Sequence, residues 1–314
     1  LAGKRFLIQS PPQILDSLRE LGVDAVTLGN NHANDWGDLG VLSTFSTLGP
    51  TGIVHAGAGV SREDATRGVL VNAGGRLVGL VSATTVNGDF VNDELPRNDD
   101  VAPGEVAPGD EWQYDLREFG YGSPGDAAYM ELRERRAGSA WRVFRDLEPT
   151  LSENEVAELW AALTDPLAYP ELQDWVARRG HGGAAQYLRE SVAAELDRLR
   201  AEGASSVVVQ FHAGFQFSER PSGGLRRISR DAIDDGADMV ISHHPHVLQG
   251  FEWYRGRLVA YSLGNLLFDQ DFLSTYPTAI LRVVADESGV IEARALPAML
   301  SAYRPVPVAG SAAE

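Results

Sequence analysis

The sequence contains no cysteine. That absence removes disulfides, thiolate zinc sites and cysteine nucleophiles, and any metal must be held through nitrogen and oxygen. An oxidising compartment is neither required nor forbidden. Positive charge is scarce as well: 27 Lys and Arg stand against 44 Asp and Glu, for a formal charge of −17. A field of that sign repels nucleic acid, anionic lipid and long polyanions, so no nucleic-acid partner is expected unless a local basic patch overrides it. No apolar run approaches the roughly 20 residues needed to cross a bilayer, and the opening "LAGKRFLIQSPP" has neither the length nor the apolar stretch of a signal peptide. The chain opens on Leu1 and not on methionine, and the expectation is that sequence lies upstream of it.

What is present is enough for a large core. At 314 residues and 44% hydrophobic, the chain fits one big domain, or one domain with a substantial insertion. "QILDSLREL" sets Ile14, Leu15, Leu18 and Leu21 on one helical face, with Gly22 as the stop. "VDAVTL" then reads as a short strand ending at Gly29, a helix is predicted from about Leu39 to Leu48, and two strands around Val69–Asn72 and Leu77–Ser82 flank the turn "AGGR". After Ser82 the texture turns acidic and rich in Pro and Gly, then helical. "ENEVAELWAAL" spaces Val156, Leu159, Trp160 and Leu163, and "AAQYLRESVAAELDRLRAEG" spaces Leu188, Val192, Leu196 and Leu199 before Gly203. Residues 86–183 are therefore read as a long, largely helical insertion or lid between 1–85 and 184–314, which form the two parts of one α/β domain. The α/β rhythm resumes with strands "SSVVVQF", "ADMVIS" and "RLVAYSL" and the helix "GLRRISRDAIDDG", which turns Leu225, Ile228 and Ile233 inward. The tail beyond Val308 is expected to fray.

Four strand ends share a pattern: "VTLGNNH", "VVVQFH", "MVISHHPH" and "VAYSLGN" each run from apolar residues into His or Asn. In α/β sheets the carboxyl edge is where loops open and ligands bind, so the four clusters are expected to face one cleft. In "HHPH" the proline fixes its own φ and moves His244 away from helical geometry; the segment is predicted to be extended, with His244 and His246 on one side. Such a pair can share one cation or grip two, and neutral imidazole suits zinc, manganese or iron. Each cluster also has a plainer reading. A His-X-His pair can be surface loop, "GNNH" an Asn turn, and His212 a hydrogen-bonded histidine at the core's edge. His55 and His181 lack this context and are read as structural or solvent-facing.

"LRELGVDAVTLGNNHANDWGDLGVLSTFSTL" resembles the N-N-H-x-x-D-x-G signature of the CapA family, the poly-γ-glutamate capsule synthesis proteins of the calcineurin-like metallophosphatase superfamily. "GADMVISHHPHVLQGFEWYRGRLVAYSLGNLLFD" is similar to the same family's long C-terminal signature. Together they cover roughly residues 13–82 and 204–270. The resemblance implies a four-layer α/β/β/α metallophosphatase-like sandwich and one or two divalent transition metals, Mn, Fe or Zn. It implies Asn31, His212, His244 and His246 as metal ligands and His32 as the acid that protonates the leaving group, with Asp35 beside it in catalysis. It implies further that Asn30, Asp35 and His243 orient that shell, and Asn30, His243 and Asn265 are the residues expected to bind substrate. The sequence departs from the family in lacking the Gly-Asp and Asn-Leu-Glu segments that normally precede these motifs, so either they lie upstream or the site is partial, single-metal or metal-free. "HAGFQ" stands where the family has His-Trp-Gly-x-Glu, with Ala213 for the tryptophan and Gln216 for the carboxylate, and a neutral amide cannot act as a base.

Two functions compete on these residues. One is a hydrolase in which metal-activated water attacks a phosphoester, or an amide, with His32 donating a proton. The other is an accessory protein whose cleft binds a γ-glutamyl or other polyanionic ligand without chemistry. A ligase-like reaction on the same scaffold is a third, because fold does not fix chemistry. The arginines of "FSERPSGGLRRISR", Arg220, Arg226, Arg227 and Arg230, form either an anion-binding rim or a solvated helix face. Compartment, cytoplasmic or extracytoplasmic, and oligomeric state are left open.

Overall fold

The computed structural model describes residues 7–86, 152, 154–155, 175–270, 272–286 and 289–309. The first stretch holds α1 (Ile14–Glu20), β1 (Ala25–Thr27), α2 (Gly37–Leu48), β2 (Val54–Ala56), β3 (Ala58–Gly59), α3 (Arg62–Thr66), β4 (Val69–Ala73) and β5 (Arg76–Thr84). After the excursion come β6 (Gly183–Ala184), α4 (Arg189–Ala201), β7 (Ser206–His212), α5 (Gly223–Asp234), β8 (Met239–His243), β9 (Phe251–Tyr254) and β10 (Arg257–Ala260). A three-stranded antiparallel sheet of β11 (Pro277–Asp286), β12 (Gly289–Ser301) and β13 (Arg304–Pro307) follows. The predicted helix at Val156–Leu163, most of the predicted insertion and the last residues of the tail lie outside the described residues.

The central sheet has the order β4-β5-β7-β8-β10-β9. Its four inner strands run parallel, and β4 and β9 close the edges antiparallel. Parallel strands covered on both faces need apolar residues throughout, which is what "SVVVQF" and "MVIS" supply. One face is covered by α4 and α5. Val192, Leu196 and Leu199 of α4 and Leu225, Ile228 and Ile233 of α5 pack into a single core with Val81, Val207, Val209, Phe211 and Val240. Ser222 caps α5, its hydroxyl accepting from Leu225 N at 3.0 Å. The opposite face carries the parallel β1–β2 pair, against which α1 and α2 lie, so the layers run α/β/β/α. The predicted apolar face of α1 is only half met: Ile14, Leu15 and Leu18 are partly buried, whereas Leu21 is 71% exposed, because the helix ends at Glu20 and its cap turns outward.

Two polar contacts lock this stack at opposite ends of the sheet. At the amino ends of the strands the buried carboxylate of Asp238 accepts from Val207 N at 2.7 Å and pairs with Arg200 and, at 2.8 Å, with Arg257, joining α4, β7, β8 and β10. At the carboxyl ends Ser82 Oγ donates to Gln210 Oε1 at 2.6 Å, and both side chains are buried between the layers. Gly29 and Gly57, which end β1 and β2, press against Ser82. A Cβ on Gly29 would lie 2.5 Å from Ser82 Oγ and 3.1 Å from Ala83 N, and one on Gly57, whose φ is +93°, would lie 2.5 Å from the same hydroxyl. The loop that follows Gly29 is thus held against β5 at a separation only glycine permits. Gly29→Ala is expected to lower stability by about 1–3 kcal/mol through overpacking. Urea unfolding of the variant checks this, and an unchanged midpoint counts against the close approach.

Candidate metal centre

Pairing of β7 with β8 sets His212 opposite His243, both at the carboxyl edge of the sheet. From the second layer, the loop after β1 brings Asn31 to the same place. Its Oδ1 lies 3.0 Å from His212 Nε2, and His244 Nδ1 lies 3.1 Å from that same nitrogen. An imidazole nitrogen bears either a proton or a lone pair. If His212 Nε2 is protonated, Asn31 and an unprotonated His244 Nδ1 share its one proton; if it bears a lone pair, it serves a protonated His244 Nδ1 and faces the Asn31 oxygen lone pair to lone pair. The spacing also suits a cation, because donors about 2.1 Å from one centre and at right angles to each other stand about 3.0 Å apart. Among the described residues, the buried His244 Nε2 has no hydrogen-bond partner. The residues present therefore fit a divalent transition metal of N/O preference. Among the described residues, no three His, Cys, Asp or Glu side chains form a metal-holding group by themselves, and the third polar side chain at this cluster is the Asn31 amide.

The "HHPH" turn is not extended. His244 has φ +107° and His246 φ +61°, both in the region that favours glycine. Strain of this kind persists only where surrounding contacts hold it: Phe217 N donates to Pro245 O at 2.8 Å, and Ala213 N to His243 O at 2.9 Å. The turn still brings the two imidazoles together, with centroids 6.0 Å apart, and sets His244 4.7 Å from His212. His246 lies between Phe217 and Phe268, at 6.2 and 5.1 Å, and its Nδ1 is 2.8 Å from Asn265 Oδ1.

Asn30 shapes the adjoining loop, its side-chain oxygen accepting from His32 N at 2.8 Å. His32 Nδ1 lies 2.7 Å from Asp35 Oδ2, which also accepts from Ile8 N at 2.7 Å. Trp36 Nε1 donates to Ile8 O at 3.1 Å, so the Ile8 residue is gripped at both its N–H and its carbonyl. Gly182 is gripped in the same way: its N–H donates to Asp38 Oδ1 at 2.8 Å, and its carbonyl accepts from Asn34 Nδ2 at 2.5 Å. Sequence reading missed Ile8 and Gly182, which act through backbone groups, Phe217 and Phe268, which act as walls, and Asn34, Asp38 and Gln270, whose side chains bond partners that residue type does not reveal. An apolar cavity of about 500 Å³ between α1, β1 and α2 reaches Asn30 and His32 at one end. Of the arginines, Arg230 is committed to Glu252 at 2.9 Å; His55 stacks on Phe45 and His181 lies 3.5 Å from Asp38.

Burial sets the electrostatics. It pushes His212 and His244 well below the ordinary imidazole range, with the neighbouring histidines adding to the effect. Burial likewise lowers His243 to about 4 and His246 to about 4, the latter against the opposing hydrogen bond from Asn265. His32 lies close enough to add to the fields at His212, His244 and His246. The four strand-end imidazoles are neutral near pH 7, which is the ligating form.

The family described as "Bacterial capsule synthesis protein PGA_cap" matches residues 1–270. The chain is 36% identical over 105 residues to the PGA biosynthesis protein CapA of Bacillus subtilis (strain 168), covering 33% of this chain and 28% of that one. It is 27% identical over 271 residues to the uncharacterized protein y4sH of Sinorhizobium fredii (strain NBRC 101917 / NGR234), covering 83% and 52%. The chain thus spans between about a quarter and about half the length of these relatives. Among solved structures it is similar to a putative 5'-nucleotidase from Staphylococcus aureus, with a TM-score of 0.43 and 12% identity over 94% of this chain and 44% of that one.

The depressed imidazoles make a stability prediction. The unfolded chain binds protons at these histidines near pH 6.5, the folded chain only at lower pH, so their contribution is complete above about 6.5 and is lost as pH falls toward 4. Each pH unit between the two titrations is worth about 1.4 kcal/mol per group. In chelator, the melting temperature should fall between pH 7 and pH 4.5, and fall less steeply in a His243→Asn, His246→Asn double variant. Equal slopes in the two proteins would show that these groups are not held neutral.

Proposed function

The chain belongs to the PGA_cap family of bacterial capsule synthesis proteins, and from that membership we propose that it is a metal-dependent hydrolase acting on a phosphoester, or on an amide of the γ-glutamyl type. The observation that carries the reading is the triple approach of Asn31 Oδ1, His212 Nε2 and His244 Nδ1, at 3.0 and 3.1 Å around one nitrogen. His246, two residues on in the same turn, is the further ligand. A divalent Mn, Fe or Zn ion held there supplies Lewis acidity and an activated water at neutral pH.

The remaining work falls to the protein's own groups. His32 is the acid: Asp35 accepts from its Nδ1–H, which leaves Nε2 to face the leaving oxygen, and the doubly protonated ring gives its proton from there. Asp35 is 1% exposed and is itself fixed by Ile8 N, so it orients the imidazole and supports its charge without turning to solvent. Asn30 sets the turn that presents both Asn31 and His32. The half-buried, neutral His243 stands opposite His212 at the strand ends.

A binding role is favoured by one observation, that the CapA relatives are biosynthesis proteins by name. It predicts a γ-glutamyl ligand retained after complete chelation. The hydrolase reading predicts bound transition metal by elemental analysis, lost in His212→Ala and His244→Ala together with turnover. His32→Ala should slow esters with alkyl leaving groups by about 10²–10⁴-fold, and p-nitrophenyl esters far less, because a stable phenolate leaves without a proton. Activity that persists without metal, or an equal loss on both ester classes, would sink the metal and the acid assignments respectively.

A further inference from the structure

An imidazole ligates only through the nitrogen that carries no proton, so whatever holds the other nitrogen decides which side it offers. For His246 that holder is visible. Nδ1 lies 2.8 Å from Asn265 Oδ1, and Asn265 Nδ2 donates to Gln270 Oε1 at 3.0 Å. With its amide N–H committed to Gln270, Asn265 turns its oxygen toward His246, and an oxygen accepts only from a protonated Nδ1. We propose that Asn265 and Gln270 are positioning residues that lock His246 in its Nδ1–H form and so reserve Nε2 as the lone-pair nitrogen for a divalent cation. This rests on the metal-site reading above, and it gives Asn265 a task inside the protein in place of contact with a substrate.

The local structure is built for such a relay. Asn265 is buried, and His246 sits against the rings of Phe217 and Phe268, where little water can replace a lost partner. Gly264 takes φ +74°, and a Cβ there would lie 2.9 Å from Pro277 O. Glycine at this place lets the chain turn from the central sheet onto β11 and deliver the asparagine side chain to the imidazole. Gln270 follows five residues later on the same segment, so one short stretch carries both members of the relay. With φ +61°, His246 is fixed at its backbone as well, and the choice of tautomer is left to the side-chain contacts alone.

The test is ¹⁵N NMR of the histidine rings in the metal-free protein near pH 7, with zinc affinity measured by calorimetry on the same samples. Wild type should show His246 protonated at Nδ1. Asn265→Leu removes the acceptor and should release that preference, weakening zinc binding by about 10–100-fold, the usual cost of losing a residue that orients a metal ligand. Gln270→Leu frees the asparagine to rotate and should show a smaller change of the same sign. Gln270→Glu keeps an acceptor for Asn265 Nδ2 and should restore both the tautomer and the affinity, which a purely structural role would not require. The relay is overturned if wild type carries the proton on Nε2, or if both leucine variants keep tautomer and affinity unchanged. Should Asn265→Leu fail to fold, the Gln270 pair decides the question. If wild type binds no zinc, the metal reading falls, and the spectrum alone still judges the relay.

Discussion

His212 Nε2 faces both the Asn31 oxygen and His244 Nδ1, three polar atoms that have at most one well-placed proton to share. That convergence organises the carboxyl edge of the sheet. It draws together a loop from the second layer, the end of β7 and the turn after β8, three segments separated by up to 213 positions in the chain. With Asn31 and His244 buried, such a polar cluster is costly unless its members are satisfied, and its nitrogen and oxygen atoms are of the kind that suit a divalent cation. The fold contributes by keeping the imidazoles neutral: the burial that would penalise a charged histidine leaves each ring able to lend a lone pair.

The loops that carry these groups are held mainly by backbone grips. The five residues Asn34–Asp38 hold two distant segments, Ile8 through Asp35 and Trp36, and Gly182 through Asn34 and Asp38. A loop of ordinary flexibility could not keep Asn31 and His32 aimed at a point set by another layer. Below it, Gly29 and Gly57 close against Ser82, and Ser82 in turn bonds Gln210 on the strand that ends in His212. Site and scaffold are therefore joined within a few residues, so disturbance of the inter-layer contact reaches the donors directly.

Much of this was legible in the sequence. The parallel strands announced themselves through β-branched runs, the helices through apolar spacing, and the cleft through polar residues placed just past strand ends. The four-layer order followed from the resemblance to CapA proteins, which the family match over residues 1–270 supports. Other features were not legible, for identifiable reasons. The proline in "HHPH" constrains its neighbour away from the helix but does not choose between extended and left-handed backbone, and long-range contacts from Phe217 and Ala213 made that choice. Leu21 continues the apolar spacing of α1 but lies beyond its last turn. Contacts made by peptide groups, as at Ile8 and Gly182, leave no trace in residue type.

The stems of the excursion between β5 and β6 meet. Trp175, wholly buried, donates its indole N–H to Val86 O at 3.2 Å, and Thr84 N donates to Ala185 O at 2.8 Å. Chain entry and exit are thus clasped before the intervening residues begin. A closed junction of this kind makes the cost of length grow only logarithmically, by about 0.6 kcal/mol for each doubling. The clasp also reaches the strand that ends in His212, whose carbonyl accepts from Thr84 Oγ1 at 2.9 Å and from Thr85 N at 3.2 Å, so the mouth of the excursion and the histidine cluster share one anchorage.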